Sequence, residues 1–454
     1  MDRPGYAFHP QNPPSAPNSA SAHVTASDLP AAANAAVLPA PEGVRGRAAH
    51  WMGQIGLVCL AALTIAAPVN LLPFGALLLL SSLLVPDLLW RARPEAGRAA
   101  SVLGWLTVLV IAAAVASVLY FDHGLRDVDN RSRFVVMPWI ALWVCALRLQ
   151  DRWLWGGALA GLLSVFALSL AQVLGGAPRA DLHTNAIVLA DIVVMLMVLL
   201  LFCRPSGRGA GAAVILGLCA GASTIVLTGS RGVFLALLAV VLVLVFSVRW
   251  GSLRLRMGLL LLLLAGGAGA VLAVPELRHQ MRLTELQSDV QRMERGDTDS
   301  SAGARVERLQ VAWETFTEHP FTGVGIGHFD NAMQRLPICR EDPAEQRCHL
   351  GHAHNDVAEW AATQGAPGVL LLLAVYGVPA GLFLWLHRRS GRSTFRGPAA
   401  AGMLIVLCYV LCGLTQSMFA HQITASFYAS IVGVLAGLSR LEGLRHQRGA
   451  SLPG

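Results

Sequence analysis

The sequence has few charged side chains: they make up 13% of its 454 residues, while hydrophobic residues make up 55%. A soluble protein normally carries about 25% charged residues. The deficit lies in long uncharged runs, among them 57–86, 102–120, 210–229 and 257–274. Each run approaches the ~20 residues that a helix needs to cross a membrane. The composition therefore predicts an all-α polytopic membrane protein.

Lysine is absent, so all 34 basic residues are arginines, and the formal net charge is +7. The arginines are spread over short loops between apolar runs, a distribution that argues against nucleic-acid binding. Residues 1–50 are rich in Ala, Pro, Ser and Asn and have too few large apolar side chains to fold. We expect a disordered cytoplasmic tail there rather than a signal peptide, because Arg45 and Arg47 lead into a long apolar stretch.

The apolar pattern predicts about twelve membrane spans, near 51–68, 70–90, 100–120, 134–149, 153–174, 185–203, 210–228, 231–248, 257–274, 366–387, 398–420 and 422–439. Arginine-rich loops alternate with arginine-poor loops along the chain, and arginine-rich loops face the cytoplasm. Both termini are therefore expected in the cytoplasm. The chain divides into a tail, nine spans, a large periplasmic loop, three spans and a second cytoplasmic tail, at 1–50, 51–274, 275–365, 366–439 and 440–454.

The loop 275–365 is the single large polar segment between predicted spans. Apolar residues recur at helical spacing from Val306 to Phe316, which predicts an amphipathic helix near 303–318 that lies on the membrane or caps the spans. Cys339 and Cys348 also lie in this loop. An oxidising compartment outside an inner membrane favours a disulfide between them; the alternative is two free thiols.

Two histidines stand just before the tenth span, in the run His352-Ala353-His354-Asn355-Asp356. The unperturbed pKa of histidine allows it to exchange a proton near neutrality. Its place at the membrane boundary lets it meet both a lipid-borne and a water-borne substrate. Asp356 and Glu359 are candidates to orient a histidine or to accept a proton. The alternative for His352 is an ordinary polar loop residue.

Arginines also collect on the predicted outer face: Arg131 and Arg133 before a span, Arg231 in a short glycine-flanked turn, and Arg305 and Arg308 in the amphipathic helix. An arginine at the edge of a span needs an anionic partner, and its guanidinium group matches phosphate geometry. The alternatives are lipid headgroup contacts for the first pair and a solvated helix face for the last pair. No metal site is predicted, because no second ligand cluster of recognised spacing accompanies the histidines.

Residues 305–329, RVERLQVAWETFTEHPFTGVGIGHF, followed by His352-Ala-His-Asn355, resemble the O-antigen ligase/polymerase superfamily. The spacing from His354-Asn355 to Gly365 and Gly368 is similar to the pattern typical of lipopolysaccharide O-antigen ligases. Arg231 in its Ser-Arg-Gly turn matches an arginine found there in the family. Polymerases and protein O-glycosyltransferases share the His-Asn region.

The resemblance implies an enzyme of the bacterial inner membrane whose active site faces the periplasm. It would transfer a polysaccharide from undecaprenyl diphosphate to a sugar hydroxyl of lipid A–core, with inversion and without metal or cofactor. His354 would act as the base or hydrogen-bond the diphosphate. The diphosphate would be held by Arg231, Arg131 or Arg133, and Arg305, with support from Asn355, Asp356 and Gly365.

Three alternatives remain at this point. An O-antigen polymerase or a protein O-oligosaccharyltransferase would use the same donor with a different acceptor. A polysaccharide or lipid transporter would also have many spans. Transporters usually place ionisable residues near the bilayer midplane, whereas here the polar groups gather on one predicted face, which favours chemistry at the membrane surface.

Overall fold

A computed structural model describes residues 41–247, 300–342, 346–349 and 351–450, with scattered residues between 252 and 295. Every regular element in these ranges is helical, which confirms the predicted all-α class. Most of the predicted span at 257–274 and most of the predicted N-terminal tail lie outside the described residues.

Fifteen α-helices are numbered here in chain order over the described residues. They are α1 Gly43–Leu63, α2 Leu72–Leu84, α3 Pro86–Phe121, α4 Asp129–Ser132, α5 Val136–Leu147, α6 Asp151–Leu174, α7 Ala186–Phe202, α8 Arg208–Thr228, α9 Phe234–Ser247, α10 Ser301–Glu318, α11 Phe329–Met333, α12 Pro337–Glu341, α13 Asp356–Arg389, α14 Pro398–Gly413 and α15 Gln422–Ala450. Short 3-10 turns occupy Leu125–Val128, Arg133–Val135 and Gln346–His349.

Five of these helices, α3, α6, α8, α13 and α15, are long and apolar enough to cross a membrane among the described residues. The shorter apolar helices are α2, α7, α9 and α14. The chain is therefore a membrane protein built from helices. The number of about twelve spans and the sidedness of the large loop stay predictions.

Helix α7 lies at the centre of the bundle and is buried along almost its whole length. It packs against α6, α8, α9 and α14. Elsewhere small residues allow helices to approach closely: a methyl group at Gly433 of α15 would lie 2.6 Å from the carbonyl oxygen of Met137 in α5. Such close approach is the usual basis of helix association in membranes.

Two long helices contain sharp bends, and these bends explain why each helix begins earlier than the membrane span predicted from hydrophobicity. Gly97 (φ 47°) bends α3, and Gly365 (φ 64°) bends α13. The second limb of each helix starts close to a predicted span, near 100 and 366 respectively. The first limbs carry polar residues that a hydrophobicity pattern assigns to loops. Hydrophobicity marks the part of a helix that meets lipid, whereas the helix itself ends where its backbone hydrogen bonds end.

Arginines from separate predicted cytoplasmic segments meet around Glu95, in the first limb of α3. The Glu95 carboxylate pairs with Arg148 and lies 3.9 Å from Arg448. Arg440 Nε donates to the Glu95 carbonyl oxygen over 2.7 Å. The second limb of α3 then runs ~36 Å, at 1.5 Å per residue, to the other end of the bundle. Arg148, Arg440 and Arg448 therefore meet at one end of the bundle; that this end faces the cytoplasm stays a prediction.

The bend in α13 receives the loop that follows α10. Ala366 N donates to the Pro320 carbonyl oxygen over 2.7 Å, and Val324 N donates to the Ala362 carbonyl oxygen over 3.0 Å. A methyl group at Gly365 would lie 2.5 Å from the Pro320 oxygen. Glycine is therefore required at position 365 both by its backbone angle and by the approaching loop.

We predict that Gly365→Ala destabilises the protein, because it combines an unfavourable positive φ of order 1–3 kcal/mol with a steric clash. Gly377→Ala is the matched control: it lies in the second limb of the same helix, and no atom lies within 4 Å of the added methyl group. Thermal unfolding of the two variants in detergent should show a lowered midpoint only for Gly365→Ala. Equal midpoints would contradict the requirement for glycine at the bend.

Candidate functional site

A cavity of about 300 Å³ lies where the turn between α8 and α9 meets α10 and the start of α13. Arginine side chains dominate its wall, and none of the described residues that line it is acidic. The lining residues are Arg179, Ile187, Gly229, Ser230, Arg231, Gly232, Ala304, Arg305, Arg308, His354 and Thr415. Three predicted site residues, His354, Arg231 and Arg305, thus meet at one cavity.

The turn that carries Arg231 is shaped by glycines. Gly229 ends α8 with a φ of 61°, a conformation that favours glycine. Gly232 packs so closely on Thr415 that a side chain would not fit. The loop before α7 joins the same region, because Ala180 N donates to the Leu227 carbonyl oxygen over 2.8 Å. This contact brings Arg179 to the cavity.

Helix α10 turns its arginine face toward the cavity. Arg308 is only 3% exposed, and Val311 and Ala312 on the same side are buried against α13 and its neighbours. Val306 and Trp313, from the predicted apolar stripe, are 48% and 66% exposed. The amphipathic helix therefore directs arginines inward and leaves its large apolar side chains on the outer surface, where they can contact lipid.

His354 has a defined tautomer. Gln416 Oε1 accepts from the Ser417 backbone N–H over 3.1 Å, which fixes the orientation of the amide. The same oxygen lies 2.8 Å from His354 Nδ1, so Nδ1 must be the donor. In the neutral ring, Nε2 then carries a lone pair. His354 is also held at a φ of 54°, a strained angle for a side-chain-bearing residue.

The electrostatics favour the neutral form of this histidine. Burial is the main reason that the pKa of His354 falls to about 4; the nearby charges of Arg308 and Arg305 lower it as well, while the hydrogen bond with Gln416 raises it. Burial also lowers the pKa of Arg305, and the nearby charge of Arg231 adds to the effect. The cavity therefore concentrates positive charge around a histidine that is a proton acceptor at neutral pH.

The residues after His354 fix its loop. The Asn355 side chain caps α13 by accepting from Ala358 N over 3.0 Å, and its Nδ2 donates to the Leu414 carbonyl oxygen over 3.0 Å. Buried Asp356 accepts from Tyr376 Oη over 2.6 Å. Buried Glu359 accepts from the Ala353 backbone N–H over 2.6 Å. These supporting residues hold the start of α13 through backbone and side-chain hydrogen bonds and lie outside the cavity wall.

Arg131 and Arg133 lie away from the cavity. Arg131 is buried with its guanidinium 3.7 Å from the centre of the Trp360 ring, close to the charges of Asp356 and Glu359. Burial lowers its pKa to about 10, so it stays positively charged at neutral pH. Arg133 pairs with Asp129 at 2.6 Å. Their predicted role in binding a diphosphate therefore has no support from this geometry.

Sequence reasoning missed several members of the site. Arg179 and Gln416 come from separate short loops whose only sequence signal is a polar residue beside an apolar run. His352, for which the alternative was an ordinary polar loop residue, has its ring centre 4.2 Å from that of His354 and 4.8 Å from that of His421. Burial and the neighbouring histidines lower the pKa of His352 to about 3.

The segment after α11 contains the disulfide expected from sequence, which joins Cys339 to Cys348. Both cysteines are buried. The disulfide lies outside the cavity wall and belongs to the framework of the polar segment.

Comparison with known proteins concerns the family to which the sequence is similar. No match was found among curated proteins. A family model described as O-antigen ligase matches residues 216–373, which include Arg231, Arg305 and His354. The match confirms the resemblance to the O-antigen ligase superfamily that the sequence predicts.

Proposed function

We propose that this protein is an O-antigen ligase of the bacterial inner membrane, with its cavity facing the periplasm. It would transfer a polysaccharide from undecaprenyl diphosphate to a sugar hydroxyl of lipid A–core. One observation carries the proposal: four arginines and a neutral histidine line the same cavity. The described residues that line it include no carboxylate. The family match gives the class of enzyme, and the geometry supports the chemistry.

The arginines suit the diphosphate of the donor. Guanidinium groups bind phosphate oxygens through paired hydrogen bonds. Arg305 lies close enough to Arg231 for the Arg231 charge to lower the pKa of Arg305. A bound diphosphate would relieve this repulsion. Arg179 and Arg308 line the same cavity and would add to the binding of the anion.

His354 suits the acceptor. Its Nε2 would take the proton from the acceptor hydroxyl while the hydroxyl oxygen attacks the anomeric carbon of the donor sugar. The bond between that carbon and the phosphate oxygen breaks at the same time, and undecaprenyl diphosphate leaves with the electron pair. A single displacement of this kind inverts the anomeric centre. The Gln416 oxygen on Nδ1 keeps Nε2 as the acceptor.

Charge develops on the leaving diphosphate, and fixed positive groups stabilise such charge in the transition state. The four arginines of the cavity supply this stabilisation from side chains, so metal-independent transfer fits the site. The exposed apolar stripe of α10 supports the location of the reaction at the lipid surface, where both lipid-linked substrates would meet it.

The polymerase and the protein oligosaccharyltransferase remain alternatives, because all three enzymes share the donor half of the reaction. They differ in the acceptor. We expect glycan on lipid A–core, and not on a pilin-type protein, when the purified protein is mixed with undecaprenyl-diphosphate glycan and each acceptor in turn. Glycan on protein only, or longer glycan on the donor lipid, would contradict the ligase proposal.

We expect His354→Ala to lower the transfer rate ~10²–10⁴-fold, the usual contribution of general-base assistance.

Arg305→Ala should lower the transfer rate ~10²–10³-fold, by analogy with the loss of one group that stabilises a developing anion. Steady-state rates with the same donor and acceptor measure both effects. Arg126→Ala, at an exposed position outside the cavity, is the control and should keep wild-type activity. An Arg305 variant as active as this control would contradict the diphosphate role.

The pH dependence tests the protonation state of His354. A base must be deprotonated, and a lowered pKa extends the deprotonated form to lower pH. The acid limb of kcat/KM should therefore lie toward about 4, rather than at the usual imidazole value of ~6.5. Gln416→Glu should move this limb to higher pH, since a carboxylate on Nδ1 stabilises the imidazolium. Two results together would contradict the proposal: an acid limb of the wild-type kcat/KM near the usual imidazole pKa, and no movement of that limb in Gln416→Glu.

A further inference from the structure

A second cluster of polar side chains lies beyond the cavity, at the far end of α3. His123, Asp127 and His328 each offer one ligand atom, and these atoms all lie within 4.8 Å of one another. His328 Nε2 is 2.9 Å from Asp127 Oδ2, and the ring centres of His123 and His328 are 3.7 Å apart. None of these residues lines the arginine cavity.

The cluster joins two parts of the chain that are more than 190 residues apart in sequence. His123 follows the end of α3, and its backbone N–H donates to the Val118 carbonyl oxygen over 3.0 Å. His328 ends the glycine-rich loop that follows α10. Ile326 holds this loop on α3, because its N–H donates to Ser117 Oγ over 3.1 Å and its side chain packs on Val118.

Glycine is needed where the loop passes the first histidine. Gly325 has a φ of 101°, and a methyl group there would lie 2.7 Å from His123 Cε1. Gly327, with a φ of 79°, passes beside Asp127. The loop backbone thus lies against two members of the cluster and leaves the ligand atoms grouped together. His123 Nδ1 is buried and has no hydrogen-bond partner among the described residues.

We propose that His123, Asp127 and His328 bind a zinc ion that fastens the loop after α10 to the end of α3. Two imidazoles and a carboxylate form a known zinc ligand set, with the fourth position left for water. Bonds of ~2.0–2.2 Å in tetrahedral geometry place ligand atoms ~3.3 Å apart. Zinc binding would draw the ligand atoms closer together and turn the two imidazole rings apart from their present contact, in which the ring centres are 3.7 Å apart. Bonds to the metal would replace the contact between Asp127 and His328.

The ion would act on structure. The same loop enters the bend of α13, where Gly325 N donates to the Thr363 carbonyl oxygen over 3.0 Å. The loop is already held by Ile326 on α3 and by Gly325 at the bend of α13. A zinc ion at His328 would hold it at a third point. A ligand that binds the folded protein and not the unfolded chain raises thermal stability. Added zinc should therefore raise the unfolding midpoint.

The test uses full-length protein in detergent, with any affinity tag removed and metal stripped by a chelator. Calorimetric titration with Zn²⁺ should show one equivalent bound with micromolar or tighter affinity, and Co²⁺ should give the visible absorption bands of a tetrahedral site. His328→Ala and Asp127→Asn should each weaken zinc binding ~100-fold or more, since loss of even outer-shell partners changes metal affinity 10–100-fold. Both variants should also lose the rise in unfolding midpoint.

His319→Ala is the matched control, because His319 is exposed at the end of α10 and outside the cluster; it should bind zinc as the wild type does. Zinc affinity unchanged in Asp127→Asn and His328→Ala would overturn the proposal. So would loss of zinc in His354→Ala with retention in His328→Ala, since the ion would then occupy the arginine cavity. If His328→Ala fails to fold, the wild-type Co²⁺ spectrum and Asp127→Asn decide, and a wild type without tetrahedral bands refutes the site.

Discussion

The sharp bend of α13 at Gly365 is the constraint on which the rest of the site depends. In a straight helix, Asp356 and Tyr376 would be ~30 Å apart, since they are separated by 20 residues. The bend brings them into a hydrogen bond of 2.6 Å. It thereby folds the first limb back against the α14–α15 connection, where Asn355 N donates to Ser417 Oγ and His354 meets Gln416. The position of the histidine is thus a consequence of helix geometry.

The positive charge of the cavity affects both His354 and the expected anionic substrate. Burial among arginines keeps His354 neutral, which suits a base, and it crowds like charges, which suits the binding of an anion. The positive groups are already in place in the folded protein before substrate arrives. A preorganised site of this kind needs little rearrangement when charge develops on a leaving group. The supporting carboxylates Asp356 and Glu359 lie outside the cavity wall.

The glycine-rich loop after α10 connects the two regions. Its glycines allow the backbone to lie against the bend of α13 on one side and against His123 on the other. One short segment therefore positions α10, which carries Arg305 and Arg308, relative to α3 and α13. The proposed zinc site and the proposed glycosyl-transfer site have separate chemistry, and this loop contacts the helices that carry both.

The amino-acid sequence was enough to predict the helical membrane class and the amphipathic helix, and to select His354, Arg231 and Arg305 as candidates that the fold brings to one cavity. Apolar run length, helical spacing and a short motif are local properties, so they can be read along the chain. The packing of the helices was needed to show that Arg179 lines the cavity while Arg133 does not, and that Gln416 sets the histidine tautomer. The same is true of the His123, Asp127 and His328 cluster. These outcomes depend on contacts between distant segments, which the bends in α3 and α13 create and which no local pattern records.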